Sequence, residues 1–274
     1  MIKENVTDLA RKWYAKIPFP ACYDSEFEAL LANQQNLECM PFASYDLERN
    51  KNEHAKNLVM FLYFCQELSQ RYQAAGISEA ILMATIEDFV ISVERNYILE
   101  GSMGIVNANV LANHLSMRLF RLGRLQFCMT GAVMDIPDKG IRKGDPVIDV
   151  HVPVGSPLTD KECQEAFLIA EQFFATHFPE YHYAYYTCFS WLLDEGLQQF
   201  LKADSNILQF QKLFEPVYHW KNDSILNFVF RYGLHDREEL KACPAKTDFA
   251  KKVREYALSG GTFYNVLGVK KHEQ

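Results

Sequence analysis

The chain has 274 residues, enough for two domains of ordinary size or one large one, and its 49% hydrophobic and 14% aromatic content can bury a substantial core. A net charge of −7 speaks against a general nucleic-acid binder, which needs clustered positive charge to neutralise phosphates. The seven cysteines are scattered, with no Cys-x-x-Cys pair and no short-spaced Cys/His set, which argues against a metal module and, the number being odd, against a complete disulfide framework. No stretch approaches the roughly 18 uninterrupted apolar residues of a membrane span, and the N-terminus leads into an amphipathic helix rather than a signal peptide. These patterns predict a reduced, cytoplasmic, soluble protein.

The first part reads as helices. Val6, Leu9, Ala10, Trp13 and Ile17 make one apolar stripe, ended by Pro18 and Pro20. Ser25-x-x-Glu28 has the form of a capping box before Leu30 and Leu31. Leu58, Phe61, Leu62, Cys65, Leu68 and Tyr72 form a second stripe, with Gly76 suited to the C-terminal cap. Ser78 then caps a long helix whose stripe is Leu82, Ile86, Phe89, Val93 and Tyr97, with Gly101 after it. A further helix over Asn107 to about Leu115 precedes a switch in periodicity at Arg118.

From Arg118 to Thr130 the pattern is that of a strand, and Val147-Ile-Asp-Val-His-Val-Pro153 repeats the alternation. Thr159 and Glu162 open a helix whose stripe runs Cys163, Ala166, Phe167, Ala170, Phe173, Phe174 and His177, suited to covering a sheet. Tyr183–Phe189 is aromatic and β-prone, Trp191–Leu201 returns to helix, Ser205 caps a short helix, and Phe214–Trp220 reads as a strand. Ser224 caps another helix closed by Gly233; a last helix spans about Thr247–Leu258, and Thr262–Val269 is the final strand.

Candidate chemistry lies on the polar faces of the two strands. Arg124 and Gln126 share the polar face of the first, Asp149 and His151 that of the second, and period two lets neighbouring strands build a site between them. Asp149 is placed to orient the His151 imidazole; the competing reading is an ordinary core or surface histidine. Arg124 is a candidate anion clamp, and Gln126 either binds substrate or bridges strands. Arg118 and Arg121 read as solvated or domain-interface residues. Ser190 sits at a strand end beside Cys188, but no Gly-x-Ser-x-Gly elbow surrounds it, so helix capping competes with a site role. Asn206 either caps or orients a site residue. Cys128 shares the polar face, with nothing nearby in sequence to lower its thiol pKa.

Leu119-Phe-Arg-Leu-Gly-Arg-Leu-Gln-Phe127, His151-Val-Pro153, Ser190-Trp-Leu-Leu-Asp194 and Ser205-Asn-Ile207 with Phe210 resemble the bacterial acyltransferase-domain proteins, from about Gly76 to the C-terminus and more weakly before it. The resemblance implies an α+β fold, a helical N-terminal domain at 1–115 followed by a mixed-sheet α/β domain at 116–274 similar to the Gcn5-related N-acetyltransferases (GNAT). It also implies an acyl-coenzyme A (acetyl-CoA) co-substrate, no metal, and transfer to an unknown small-molecule or peptide acceptor. On this mapping His151 with Asp149 is catalytic, and Arg124, Gln126, Ser190 and Asn206 bind substrate. Val152, Val154, Gly155 and Ser156 hold the pantetheine arm and pyrophosphate of the donor. The chain departs from the family's Arg/Gln-x-x-Gly-x-Gly/Ala phosphate loop, having Val-Gly-Ser-Pro-Leu-Thr, and Asp160 and Glu162 add negative charge to the following helix's first turn. A non-catalytic GNAT-like ligand-binding module is therefore the alternative, and a Cys/Ser–His hydrolase a weaker third. The acyl chain length and the oligomeric state are not encoded in any pattern of the sequence.

Overall fold

The computed structural model describes residues 5–34, 37–155, 157–234 and 236–272. The chain divides into two compact units, Met1–Arg121 and Leu122–Gln274. The first holds α1 (Val6–Tyr14), α2 (Asp24–Asn33), α3 (His54–Ala74), α4 (Glu79–Ile86), α5 (Asp88–Glu100) and α6 (Ala108–Leu115). Asn5 opens α1 by accepting a hydrogen bond from the Asp8 amide, and Val6, Leu9, Ala10 and Trp13 are buried as the stripe requires. Ile17 is buried beyond the helix end. The capping box expected at Ser25 does not form, because the Glu28 carboxylate accepts two hydrogen bonds from Arg11 at 2.9 Å instead.

The centre of this unit is α3. Leu58 to Leu62 are each at most 1% exposed, so the helix is enclosed on all sides there rather than along one stripe. Gly76 and Gly101 follow α3 and α5 with φ of +67° and +70°, the left-handed geometry that terminates helices. The single long helix expected after Ser78 is two, α4 and α5, broken at Glu87. The apolar spacing carries through Ile86, Phe89 and Val93 unbroken, which is why periodicity alone does not reveal the break.

A second architecture follows: β1 (Leu119–Leu122), β2 (Leu125–Gly131), β3 (Pro146–His151), α7 (Asp160–His177), β4 (Tyr185–Ser190), α8 (Asn206–Gln211), β5 (Glu215–Lys221), α9 (Ser224–Val229), α10 (Asp248–Leu258) and β6 (Tyr264–Lys271). The strands form one six-stranded mixed sheet in the order β1-β2-β3-β4-β6-β5. The pairs β2–β3, β4–β6 and β5–β6 are antiparallel, and β3–β4 is parallel. The single strand expected over 118–130 is interrupted by a turn at Gly123-Arg124, with Gly123 at φ +67°. Arg118 and Arg124 consequently do not share a strand face.

One sheet face is covered by α7. Phe127 and Tyr186 project toward it and meet Phe167 edge-on, with ring centroids 5.5 and 5.0 Å away. Each such ring, fully buried, contributes about 1.5–3 kcal/mol relative to exposure. The β2–β3 connection folds over part of the opposite face, packing Ala132, Ile136 and Ile141 on Val147, Leu267 and Val269. The helix expected over Trp191–Leu201 is instead two 3₁₀ turns. Ser190 caps the first and Asp194 the second, and the Asp194 carboxylate also accepts the Tyr264 amide at 3.0 Å, fastening the segment to β6. Ser224 begins α9 rather than capping it, and its hydroxyl donates to Asn265 at 2.6 Å. All seven cysteines are unpaired, and among the described residues no helix is long and apolar enough to cross a membrane.

Gly268 shows how tightly the first of these turns is seated. A Cβ there would lie 2.8 Å from both Leu193 Cδ1 and Phe214 Cβ. Gly268→Ala is expected to destabilise the protein by about 1–3 kcal/mol, the usual scale for overpacking. Denaturant unfolding checks this: the midpoint falls while the slope stays constant.

Candidate functional site

On the sheet face opposite α7, strand register sets side chains in rows. Gln126 pairs with His151 and Cys128 with Asp149 across β2–β3, while Asp149 pairs with Thr187 across β3–β4. Alternation then puts Gln126, Cys128, Asp149, His151 and Thr187 on one face. The contacts agree. Thr187 Oγ1 donates to Asp149 Oδ1 at 2.6 Å, and His151 Nε2 stands 3.2 Å from Asp149 Oδ2. Both carboxylate oxygens are therefore engaged, one by a hydroxyl that fixes the group and one by the imidazole.

Burial opposes a charge on His151, but the Asp149 carboxylate and the Cys128 thiol outweigh it and raise the pKa from 6.5 to about 10. The imidazole is 44% exposed, so solvent screens part of that attraction, and its upward direction is what the geometry supports. The pairing favours the imidazolium form of His151. It can give a proton to a departing anion, or take one once deprotonated.

The register also opens a gap beside the histidine. Strands β3 and β4 pair only at Ile148–Tyr186 and Asp149–Thr187. Beyond these the two strands separate, so Val150 to Val152 run on without β4 as a partner. A strand that runs on past its parallel partner is an arrangement that can receive an extended, amide-bearing ligand. The following loop is braced by Arg124, whose guanidinium donates to the carbonyls of Pro153 at 2.9 Å and Pro157 at 3.1 Å. Arg124 is itself buried, 8% exposed.

The sequence-predicted residues therefore separate. Gln126, Asp149 and His151 come together. Arg124 lies in the turn before β2 and grips the loop that contains Val154 and Gly155, with Val154 60% exposed. Ser156 lies outside the described residues. Ser190 Oγ accepts the Leu192 amide as a cap, and Asn206 is the exposed first residue of α8, which Ser205 caps. At the start of α7, Thr159 accepts the Glu162 amide and donates to the Glu162 carboxylate, satisfying that helix end internally. Nothing in the local sequence singles out Thr187, since only the parallel β3–β4 pairing sets it against Asp149. Cys128 was visible on the polar face, but its neighbourhood with His151 comes from the antiparallel register.

The His151 charge has a direct test. Its NMR titration midpoint is expected well above 6.5, and Asp149→Asn should move it down. Because the folded-state pKa is raised, the stabilisation from this pair is full below about 6.5 and disappears as pH rises toward 10. A wild-type midpoint at or below 6.5 would contradict the pairing.

Comparison with known proteins agrees with this architecture. An acyltransferase in complex with decanoyl-CoA is 25% identical, with a TM-score of 0.75 over 96% of this chain and 88% of that chain. An acyltransferase in complex with CoA and 10C-teicoplanin is 24% identical, with a TM-score of 0.71 over 98% of this chain and 88% of that one. No curated protein sequence matches the chain. The family model for the GNAT-like C-terminal domain matches residues 119–270, from β1 almost to the end of β6, and the chain belongs to that family.

Proposed function

We propose that this protein is an acyl-coenzyme A-dependent acyltransferase, built as a helical N-terminal domain at 1–115 and a GNAT-like domain at 116–274. The observation that carries the reading is the separation of β3 from β4 where His151 stands, the place a thioester must occupy to meet a proton-transfer group. Family membership and the acyl-CoA complexes of the structural neighbours support it. The neighbour bound to decanoyl-CoA adds a medium-chain acyl group to acetyl among the donors to be tried. The free cysteines support a reducing, cytoplasmic setting.

In this reading the pantetheine arm lies along the unpaired backbone at Val152 and Val154, with the pyrophosphate near Gly155 and Ser156. The acceptor's hydroxyl or amine attacks the thioester carbonyl. Its proton passes to His151 Nδ1, since Nε2 faces Asp149, and the same proton then neutralises the departing CoA thiolate. Asp149 stabilises the imidazolium formed between the two steps, and Thr187 holds Asp149 in place. Gln126, opposite His151 and buried, is assigned to bridging the strands beside it. Arg124 positions the donor loop from beneath. Ser190, which alternates to the α7 side of β4, and Asn206, which opens α8, serve the chain ends they begin or cap and take no part in this step.

The start of α7 favours a second reading, a GNAT-like module that binds a ligand without transferring an acyl group. Its internal Thr159–Glu162 cap and first-turn Asp160 leave little positive potential for a pyrophosphate. Titration with decanoyl-CoA and acetyl-CoA decides between them. On the transfer reading, saturating donor raises the melting temperature, with about 2.7 kcal/mol of stabilisation at a hundredfold excess over Kd. No shift at millimolar donor, in folded protein, leaves the module.

If transfer is observed, His151→Ala is expected to lower turnover about a hundredfold or more with little loss of stability. The activity of the wild type should rise with pH as the imidazolium loses its proton, and Asp149→Asn should move that rise to lower pH. A His151→Ala variant with full turnover would remove His151 from the mechanism. Arg124→Ala, by loosening the donor loop, should raise the KM for acyl-CoA more than it lowers kcat.

A further inference from the structure

A cavity of about 190 Å³ lies where α7 ends and the chain turns back toward β4. Glu171, Phe174, Ala175 and Phe178 line it at helical spacing, and Tyr181 and Tyr183 enter from the following loop. The rings stand as walls. Phe174 and Tyr183 meet at 75° with centroids 6.1 Å apart, Tyr181 is 6.2 Å from Tyr183, and Phe178 is 6.1 Å from Phe174. His272 lies flat on Tyr183, at 4.5 Å and 13°. Both tyrosine hydroxyls are already engaged: that of Tyr181 donates to the carbonyls of Thr130 and Val147, and that of Tyr183 bonds the Tyr186 hydroxyl at 2.9 Å.

The charge at this cavity is negative. Glu171 is half-buried and has no ion-pair partner among the described residues. Its field reaches the rings, since burial and, with it, the Glu171 charge raise the Tyr183 pKa. The C-terminus of α7 also lies here, and a helix C-terminus carries roughly half a negative elementary charge. We propose that the cavity binds the quaternary ammonium group of a small molecule, held against Phe174, Phe178, Tyr181 and Tyr183 with Glu171 as its counter-ion.

Size, charge and hydrogen bonding select this occupant. The cavity is below the roughly 300–1,000 Å³ of pockets that enclose a whole drug-sized ligand, so it suits a compact head group. An anion meets the Glu171 carboxylate, and an uncharged apolar group desolvates that carboxylate without compensation. A primary ammonium brings three N–H donors, whereas the tyrosine hydroxyls are occupied. A quaternary ammonium has no N–H to satisfy, and its diffuse charge is attracted to ring faces and to the carboxylate alike.

Isothermal titration of the whole protein tests this with three probes: choline, its neutral isostere with carbon in place of nitrogen, and ethanolamine. The pH is held above the ordinary histidine pKa, because His182 and His272 also line the cavity. Choline is expected to bind saturably, and the isostere and ethanolamine at least about tenfold more weakly. Glu171→Gln should weaken choline binding about tenfold with the melting temperature unchanged, and Phe178→Leu, which keeps an apolar wall without a ring face, by a similar factor. The methyl protons of bound choline should show NOEs to the Phe178 and Tyr183 rings.

Three results would overturn the proposal: no binding of choline, equal binding of the isostere, or a choline affinity that Glu171→Gln leaves intact. Bound choline with NOEs only to other residues would place the site elsewhere and overturn it too. None of these measurements involves acyl-CoA, so their outcome is independent of the acyl-transfer reading.

Discussion

The carboxylate of Asp149 is the point on which the candidate site depends. It lies on the parallel β3–β4 seam, where the Thr187 hydroxyl fixes one oxygen and the His151 imidazole engages the other. Parallel pairing is brief there, ending after Asp149–Thr187, and the strands separate at the level of the histidine. A fully paired seam would leave no strand edge there for an extended ligand. An unpaired one without a cross-strand tie would leave His151 unsupported. The Asp149–Thr187 contact joins the strands immediately below the gap, so a rigid base and an open ladder coexist.

Support for this point comes from both sheet faces. Beneath it, Phe127, Tyr186 and Phe167 lock α7 to β2 and β4, so the strands carrying the site have little freedom to slide. A one-residue slip would turn His151 into the α7 interface and expose Val150, exchanging a buried valine for a charged ring. Above it, the β2–β3 connection closes part of the opposite face over Val147 and Val269.

Two charged groups serve architecture more than chemistry. Buried Arg124 braces the carbonyls of Pro153 and Pro157, which holds the chain between β3 and α7 in a defined path. Asp194 joins a 3₁₀ turn to β6 through the Gly196 and Tyr264 amides, and burial raises its carboxyl pKa against those hydrogen bonds, which lower it. Part of the recognisable Ser-Trp-Leu-Leu-Asp sequence is thus a pair of caps with apolar residues between them. Arginine and aspartate at recognisable positions read as site residues in a sequence, yet a buried backbone carbonyl or amide competes for them equally well.

Local chemistry determined much of this molecule from sequence alone. The change from helical to alternating periodicity near Arg118, the caps at Ser78, Thr159 and Ser205, and the polar-face placement of Gln126, Asp149 and His151 all arise within a few residues, so the sequence records them. What failed to show depended on partners distant in the chain. Glu28 abandoned its capping box for Arg11, the helix after Ser78 broke at Glu87 without disturbing its apolar spacing, and Arg124 turned to proline carbonyls. The union of Asp149 with Thr187, and of Cys128 with Asp149, required strand order and register. Periodicity states which face a residue takes on its own strand; only the tertiary pairing decides which other strand's residues share that face with it.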